Sequence, residues 1–306
     1  MSPLLRLEEL TWRALLDLPR EQTIVFVPIS PIEEHGPHLP LGCDLFDAEA
    51  FAMGAAGELE RRRPGLLRIV LYPRVPLGTD TFAYLGSIEI RQRVIRDVAV
   101  DIGRSLGREG FKNVVFFNGH GGPAHNVALE EACVRLRRRG VRAIAPFGAV
   151  VERLFLGEYN DRIAPKLAAA GIAELPLPLN RDYHAGAFET SLMLHLKPEL
   201  VTDEYRRLAP FSVKLLDIRP STALKEGPGL GYLGAPAAGD ARLGEGLLEL
   251  VCGELATLVE GLADGRDVYG ETRCRLYWVP LFWTDRRWYA LGAFFRIVAI
   301  LCALLR

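Results

Sequence analysis

Residues 31–44, PIEEHGPHLPLGCD, concentrate side chains that could bind a metal ion. Glu33 and His35 are two positions apart, so in an extended segment both side chains leave the same side of the backbone. Asp44 follows a turn rich in glycine and proline and can return to the same place. We therefore interpret this loop as the first half of a metal site.

The second half of the site is predicted much later in the chain. His120 lies in the sequence NGHGG at 118–122, and Glu189 follows His184 in a predicted helix. Carboxylate and imidazole ligands without a cysteine favour zinc, manganese or iron in a catalytic site over a structural zinc. Five ligands are too many for one tetrahedral ion that keeps an open position, so two divalent ions sharing a carboxylate account for them better.

Both halves of the site follow predicted buried strands. Residues 23–29 precede the first loop, and residues 113–117 run directly into NGHGG. Two further strands are predicted at 67–75 and 141–146. Four predicted helices alternate with the strands, at 44–63, 90–108, 124–139 and 243–262. This order predicts an α/β fold, a single domain with a mostly parallel β-sheet flanked by helices on both faces. Because ligands bind beyond the carboxyl ends of such strands, we expect the two halves to meet there.

Composition limits the partners of the protein. Its 37 lysines and arginines nearly balance 38 acidic residues, which gives a net charge of -1 and argues against a dedicated nucleic-acid binder. We expect a small-molecule substrate. The five cysteines form no CxxC pair, and the first residues lack a secretory pattern, so we predict a reducing, cytoplasmic setting.

Two stretches depart from the alternating pattern. Residues 151–181 are longer than a plain connection, so we expect them to shape or cover the site. Beyond a predicted domain at 1–270, residues 271–306 form a hydrophobic extension. Its last part, 288–306, is apolar with Arg296 near the middle. This stretch has three alternative locations: it packs against the body or another subunit, it makes peripheral membrane contact, or it spans a membrane. The arginine disfavours a span.

Several motifs together resemble the creatininase family, the creatinine amidohydrolases. They are GPHLPL after Glu33-x-His35, then Asp44, NGHGG at 118–122, and the sequence DYHAGAFETS at 182–191. The resemblance covers about residues 5–262 and implies a single α/β domain, a pair of divalent ions and assembly into a homo-oligomer, a hexamer in the family. It also implies that Asp44 bridges the ions, that Glu33 and His120 bind one ion and that His35 binds the other; Glu189 is our choice for the remaining ligand.

Such a site fits amide hydrolysis. A water held between two ions loses its proton near neutral pH, and one ion polarises the carbonyl of the amide. The departing nitrogen then needs a proton, for which His184 is the candidate general acid, with Asp182 orienting it. A purely structural His184 is the alternative. We expect Glu34 and His38 to be supporting or surface residues.

Departures from the family's pattern concern the substrate. Creatininase has a glutamate where this chain has Gly122, and Pro123 replaces a common asparagine, so creatinine itself is not expected. We predict hydrolysis of a non-peptide or cyclic amide C–N bond, with Thr81, Phe82, Tyr84 and 151–181 selecting the substrate. The alternatives are a peptidase or formamide deformylase in cofactor biosynthesis, as in relatives of the family, and a non-catalytic subunit that docks on a membrane or partner.

Overall fold

The computed structural model describes residues 4–213 and 229–284. Within them, one parallel sheet has the strand order β1-β3-β2-β4-β5. The strands are β1 (Leu4–Arg6), β2 (Thr23–Pro28), β3 (Arg68–Leu71), β4 (Asn113–Phe117) and β5 (Arg142–Ile144). The predicted parallel sheet is confirmed. Sequence analysis missed β1, because three residues at a sheet edge are too few to show a pattern.

Helices of the described residues alternate with these strands and then follow the sheet. They are α1 (Trp12–Leu16), α2 (Cys43–Arg62), α3 (Gln92–Arg108), α4 (Pro123–Arg137), α5 (Phe147–Phe155), α6 (Asn160–Ala170), α7 (Ala187–Leu196) and α8 (Ala241–Ala263). The four predicted helices correspond to α2, α3, α4 and α8 within a few residues. The helix predicted after His184 is α7.

Two apolar layers cover the two faces of the sheet, as β2 illustrates. Ile24 and Phe26 enter the layer that contains residues of α2 and α8, whereas Val25 and Val27 enter the layer that contains residues of α3 and α4. Successive side chains of a strand point to opposite faces, so a strand covered on both sides must be apolar throughout. All six residues of β2 are buried, as this requirement dictates.

The excursion at 151–181 mainly extends the core. Tyr159, Ile163 and Ala170 of this segment are buried in the same layer as α8. The Phe155 ring, near the beginning of this segment, lies 6.1 Å from the Tyr183 ring, and the end of the segment runs directly into Asp182. The expectation that 151–181 covers the site stays a prediction.

The described part of the C-terminal extension, 271–284, lies against α4 and α5. Three glutamates of these helices accept hydrogen bonds from its backbone amides: Glu130 from Cys274 at 3.0 Å, Glu152 from Arg275 at 3.0 Å and Glu131 from Thr284 at 3.2 Å. None of the helices within 4–213 and 229–284 has the length and apolar character needed to cross a membrane. The apolar stretch 288–306 lies outside the described residues, so its packing or membrane contact stays a prediction.

The buried carboxyl of Glu130 gives a test of this packing. Burial raises its pKa to about 8 from a usual 4.5, so the folded chain holds a proton there that the unfolded chain releases. This contribution to stability is present below pH 4.5 and is lost as pH rises through about 8. We expect the Glu130→Gln variant to lose less stability between pH 5 and 8.5 than the wild type, measured as unfolding free energy in urea. Equal changes of the unfolding free energy with pH in the variant and the wild type would contradict this explanation.

Candidate metal centre

The predicted ligands come together beyond the carboxyl ends of β2 and β4. Glu33 and His35 lie in the loop after β2, and His120 lies in the loop after β4. Asp44 and Glu189 occupy the first turns of α2 and α7, where the positive end of the helix dipole favours a carboxylate. The two halves therefore meet at one edge of the sheet, since the carboxyl ends of parallel strands share that edge.

Asp44 lies at the centre of the cluster, with one carboxylate oxygen directed at each imidazole. Its Oδ1 is 3.3 Å from His35 Nε2, and its Oδ2 is 3.3 Å from His120 Nδ1. Glu33 Oε2 lies 3.1 Å from the same His120 nitrogen, and Glu189 Oε2 lies 3.7 Å from the same His35 nitrogen. Two three-residue groups that share Asp44 thus offer ligand atoms within 4.8 Å of one another.

Backbone carbonyls select which nitrogen of each histidine faces the cluster. His35 Nδ1 lies 3.1 Å from the Glu33 carbonyl, and His120 Nε2 lies 3.3 Å from the Asp80 carbonyl. A carbonyl only accepts, so these nitrogens carry the hydrogen. The lone pairs of His35 Nε2 and His120 Nδ1 are left for a metal ion, which is the usual arrangement of a ligating histidine.

The turn that carries His120 is fixed by buried polar side chains. Ser30 Oγ donates to Asn118 Oδ1 at 2.7 Å and accepts from the Gly119 amide at 2.9 Å. Asn118 in turn bonds both the amide and the carbonyl of His120, and Asn126 donates to the same carbonyl. These bonds place the imidazole without using its ring nitrogens.

Several atoms of the cluster are buried and have no hydrogen-bond partner among the described residues. They include Glu33 Oε2, His35 Nε2 and Asp44 Oδ2. Burying such groups unpaired is costly, and a divalent cation would satisfy all of them. The donor set of carboxylates and imidazoles suits zinc, manganese or iron. The residues present therefore fit the predicted metal ions.

Without an ion, the carboxylates of the cluster favour protonated imidazoles. Burial lowers the pKa of His35, but Asp44 and Glu189 outweigh it and hold that pKa well above its usual value. Burial likewise lowers the pKa of His120, but Glu33 and Asp44 raise it by more. Burial raises the pKa of Asp44, whereas the two histidines bring it well below its usual value. Metal binding would displace the imidazole protons.

His184 lies beside Asp44 and its two imidazoles, and with Glu33 and His35 it forms a third group whose possible ligand atoms lie within 4.8 Å of one another. Its ring centroid is 4.3 Å from that of His35 and 4.8 Å from that of Phe82. Its Nε2 lies 2.7 Å from the Glu34 carbonyl. Burial and His35 lower the pKa of His184, whereas the Glu34 side chain and nearby carboxylates raise it, and the net shift is upward. The general-acid role of His184 stays a prediction.

The hydrogen bonds of Asp182 differ from those expected. Its carboxylate accepts from the amides of Ala187 at 2.9 Å, Phe188 at 2.8 Å and Ala235 at 2.9 Å. It therefore fixes the start of α7, which carries Glu189, and among the described residues its bonds do not go to His184. Unpaired amides at a helix start compete for the carboxylate, and a role of Asp182 in orienting the His184 ring stays a prediction.

Glu34 and His38 are buried, so the surface alternative for them is wrong, and their supporting role stays a prediction. Glu34 is 4% exposed and His38 is 1% exposed. His38 Nε2 lies 2.9 Å from Thr190 Oγ1 of α7. The Glu34 carboxylate accepts from the Gly36 amide at 3.0 Å. Two adjacent glutamates in a loop look solvated in the sequence, and only the fold shows that both are buried.

The loop at 77–88 contributes residues that sequence analysis missed. Glu89 accepts hydrogen bonds from Thr79, Asp80 and Thr81, at 2.7 to 3.1 Å. Asp80 has a positive φ of 67° and accepts from the Ala124 amide at the start of α4. This anchoring fixes the Asp80 carbonyl that bonds His120. A threonine-aspartate pair before a loop carries no signal for such a role.

An apolar wall borders the site near His184. Phe82, Tyr84 and Tyr183 pack against the buried Leu233. The Phe82 amide also donates to Glu33 Oε1, so the wall and the metal cluster share one loop. Of the predicted substrate-selecting residues, Phe82 and Tyr84 lie in this wall. Their role in selecting a substrate stays a prediction.

Gly122 approaches the ring of His120 too closely for any larger residue. A Cβ atom at this position would lie 2.2 Å from His120 Nε2 and 3.1 Å from the Asp80 Cβ. A glutamate at 122, as in creatininase, is therefore incompatible with this placement of His120. Glu189 lies with His35 and Asp44 in the cluster, and its role as the remaining ligand stays a prediction.

Comparisons with known proteins support this description. Residues 8–259 match the family described as "Creatininase: Creatinine amidohydrolase". Over 233 residues the chain is 30% identical to the "Mycofactocin precursor peptide peptidase" of Mycobacterium ulcerans (strain Agy99), covering 73% of this chain and 79% of that protein. It is 26% identical to the "Creatinine amidohydrolase" of Pseudomonas putida over 267 residues, covering 86% and 96%.

Solved structures have the same fold. A crystal structure of creatinine amidohydrolase (creatininase) aligns with a TM-score of 0.58 at 22% identity, covering 88% of this chain and 98% of that chain. The structure named "Creatininase Mn" also gives a TM-score of 0.58 at 22% identity, with 88% and 99% covered. These likenesses confirm the predicted α/β fold.

A substitution at Gly122 tests the close approach to His120. We expect Gly122→Ala to displace the imidazole and to weaken metal binding about 10- to 100-fold, the range typical of disturbed support around a ligand. Metal affinity by competition with a chelator would measure this. Gly121→Ala is the matched control, since nothing lies within 4 Å of a Cβ there. Equal affinities for the two variants would contradict the placement of His120.

The shared position of Asp44 predicts different metal losses in two variants. Asp44→Ala removes a ligand from both groups and should lose both ions, whereas Glu189→Ala removes a ligand from one group only. We expect close to no bound metal in the first variant and about one ion per chain in the second. Elemental analysis of the purified proteins measures the ratio. Equal loss in both variants would exclude a bridging Asp44.

Proposed function

Because the chain belongs to the creatininase family of hydrolases, we propose that it uses two divalent metal ions to hydrolyse an amide C–N bond. The observation that carries the proposal is the shared carboxylate of Asp44, 3.3 Å from an imidazole on either side. Ligands for one ion would be Glu33, Asp44 and His120, and those for the other would be His35, Asp44 and Glu189. Zinc is our first choice of metal, with manganese or iron as alternatives.

The chain's own residues have distinct tasks in this reaction. The ions, when bound, supply an activated water and polarise the amide carbonyl. Glu33 is held for its ligand role by the Phe82 amide, and Glu189 is held by the Ala185 amide. His184 takes and returns the proton that the departing nitrogen needs.

The substrate class is the finer part of the proposal. The sequence predicts a non-peptide or cyclic amide, and the crowding at Gly122 supports the expectation that creatinine is not the substrate. A peptide is the second candidate, and the relatives named as peptide peptidases favour it. The apolar wall of Phe82 and Tyr84 suits apolar groups beside the amide in either class.

The buried, unpartnered ligand atoms argue against a non-catalytic docking subunit. A protein without a metal would gain stability by replacing these groups with apolar ones. The predicted homo-oligomer and the membrane contact of 288–306 are compatible with the hydrolase and remain predictions.

The proposal is tested by an assay of the purified, metal-loaded protein on short peptides, formamides and cyclic amides, with creatinine included. We expect hydrolysis in at least one class other than creatinine. Asp44→Ala should lower kcat/KM by roughly 1000-fold or more, since it removes metal catalysis. Glu130→Gln, a buried carboxyl outside the cluster, is the control and should keep wild-type kcat/KM. Native activity in Asp44→Ala, or less than one metal ion per chain, would refute the proposal.

A further inference from the structure

We propose that Glu34 is a positioning residue that holds His184 in one tautomer and supports its positive charge while the imidazole carries a proton. This inference rests on the proposed hydrolase function, and it gives a task to a glutamate that none of the three groups of possible metal ligands includes. Glu34 acts through both its backbone carbonyl and its side chain.

The carbonyl of Glu34 determines the tautomer of His184. It lies 2.7 Å from His184 Nε2, and because a carbonyl only accepts, Nε2 carries the hydrogen. Nδ1 has no hydrogen-bond partner among the described residues. In the neutral ring, Nδ1 therefore carries the lone pair and is the nitrogen that can exchange a proton with a substrate.

The carboxylate of Glu34 lies beside the same nitrogen. Its Oε1 is 3.5 Å from His184 Nε2, is buried and has no hydrogen-bond partner among the described residues. Both side chains are at most 5% exposed, so water screens their interaction little. The carboxylate is therefore placed to face the Nε2 side of the His184 ring.

The Glu34 carboxylate is confined by the backbone around it. Oε2 accepts from the Gly36 amide at 3.0 Å. On the other side, a Cβ atom at Gly231 would lie 2.2 Å from Oε2, and Gly231 also has a positive φ of 76°. Only glycine fits there, because a side chain would both clash with the carboxylate and strain the backbone. The charge therefore stays close to His184.

The His184 ring is fixed in orientation as well. It lies between His35 and Phe82, with centroid distances of 4.3 Å and 4.8 Å. A ring held on both faces and bonded at Nε2 loses little freedom when it exchanges a proton at Nδ1.

The proton balance of the reaction explains why the carboxylate matters. Water attacks the amide carbon, a C–O bond forms, and its proton passes to Nδ1 of His184. The C–N bond then breaks, and the same proton passes from Nδ1 to the departing nitrogen, which leaves a carboxylic acid and an amine. Between these transfers the imidazole is positively charged, and Glu34 stabilises that charge, as a carboxylate does for the histidine of a catalytic triad.

A double-mutant cycle on kcat tests the coupling. The variants are Glu34→Gln, His184→Ala and the double variant, assayed with the amide that the wild type hydrolyses. We expect Glu34→Gln to lower kcat about 10- to 100-fold, which is a part of the effect of a general acid. KM and metal content should stay within about twofold of the wild-type values. In the His184→Ala background the same change should lower kcat by less than about twofold, because the group that Glu34 supports is absent.

The leaving group gives an independent readout. A para-nitroanilide departs with a weakly basic nitrogen and needs less help from a proton than the matching alkylamide. The loss of kcat in Glu34→Gln should therefore be smaller on the anilide. Glu34→Asp keeps the charge but shortens the side chain by one methylene, which moves the carboxylate away from His184. Its kcat should therefore lie between those of the wild type and Glu34→Gln. Glu130→Gln again serves as the buried-carboxyl control.

The outcomes separate this inference from the proposed function. If the wild type hydrolyses no amide, or Asp44→Ala keeps native activity, the hydrolase proposal fails. If the wild type is active but Glu34→Gln lowers kcat equally with and without His184, the two residues act independently and only the role of Glu34 is refuted. The same holds if Glu34→Gln loses metal, or if alkylamide and anilide are affected alike.

Discussion

The central constraint of this structure is the buried carboxylate of Asp44 between two imidazoles. At 3.3 Å from both His35 and His120, it requires the loop after β2, the loop after β4 and the start of α2 to meet at one point. A parallel sheet satisfies this requirement because its strand ends lie at one edge. Close backbone contact is also needed, and Gly119 provides it: a Cβ there would lie 2.2 Å from the Asp44 carbonyl.

The cluster brings several acidic side chains close to histidines in the protein interior. Glu33, Asp44 and Glu189 contribute three carboxylates, while the facing groups are histidines. The carboxylates raise the pKa values of His35 and His120 well above their usual value although burial lowers them, which favours imidazoles that carry protons. Two divalent cations would replace those protons and offset the carboxylates more completely. The fold thus maintains a site that is costly unless it binds cations.

Support for the site comes largely from backbone groups. Carbonyls of Glu33, Glu34 and Asp80 each fix one imidazole, and the amides of Phe82 and Ala185 each hold one carboxylate. Backbone groups depend on loop conformation and much less on residue type. The loop at 77–88 therefore links two properties, the tautomer of His120 and the apolar wall beside His184. A change in this loop would therefore disturb both the support of His120 and the apolar wall.

The sequence by itself determined the order of strands and helices, the edge of the sheet that holds the site, and the five ligand candidates. The continuous apolar run of β2 and the polar groups directly after β2 and β4 are local patterns, so they can be read without the fold. The short edge strand β1 gave no such pattern.

The tertiary structure decided how the side chains of the site are held: Asp182 bonds the start of α7, Glu34 is buried beside His184, and Asp80 supports His120. The contacts of Glu34 with His184 and of Asp80 with His120 join residues 150 and 40 positions apart. Asp182 accepts from backbone amides, and neither a long separation nor backbone geometry is encoded in the type of a single residue.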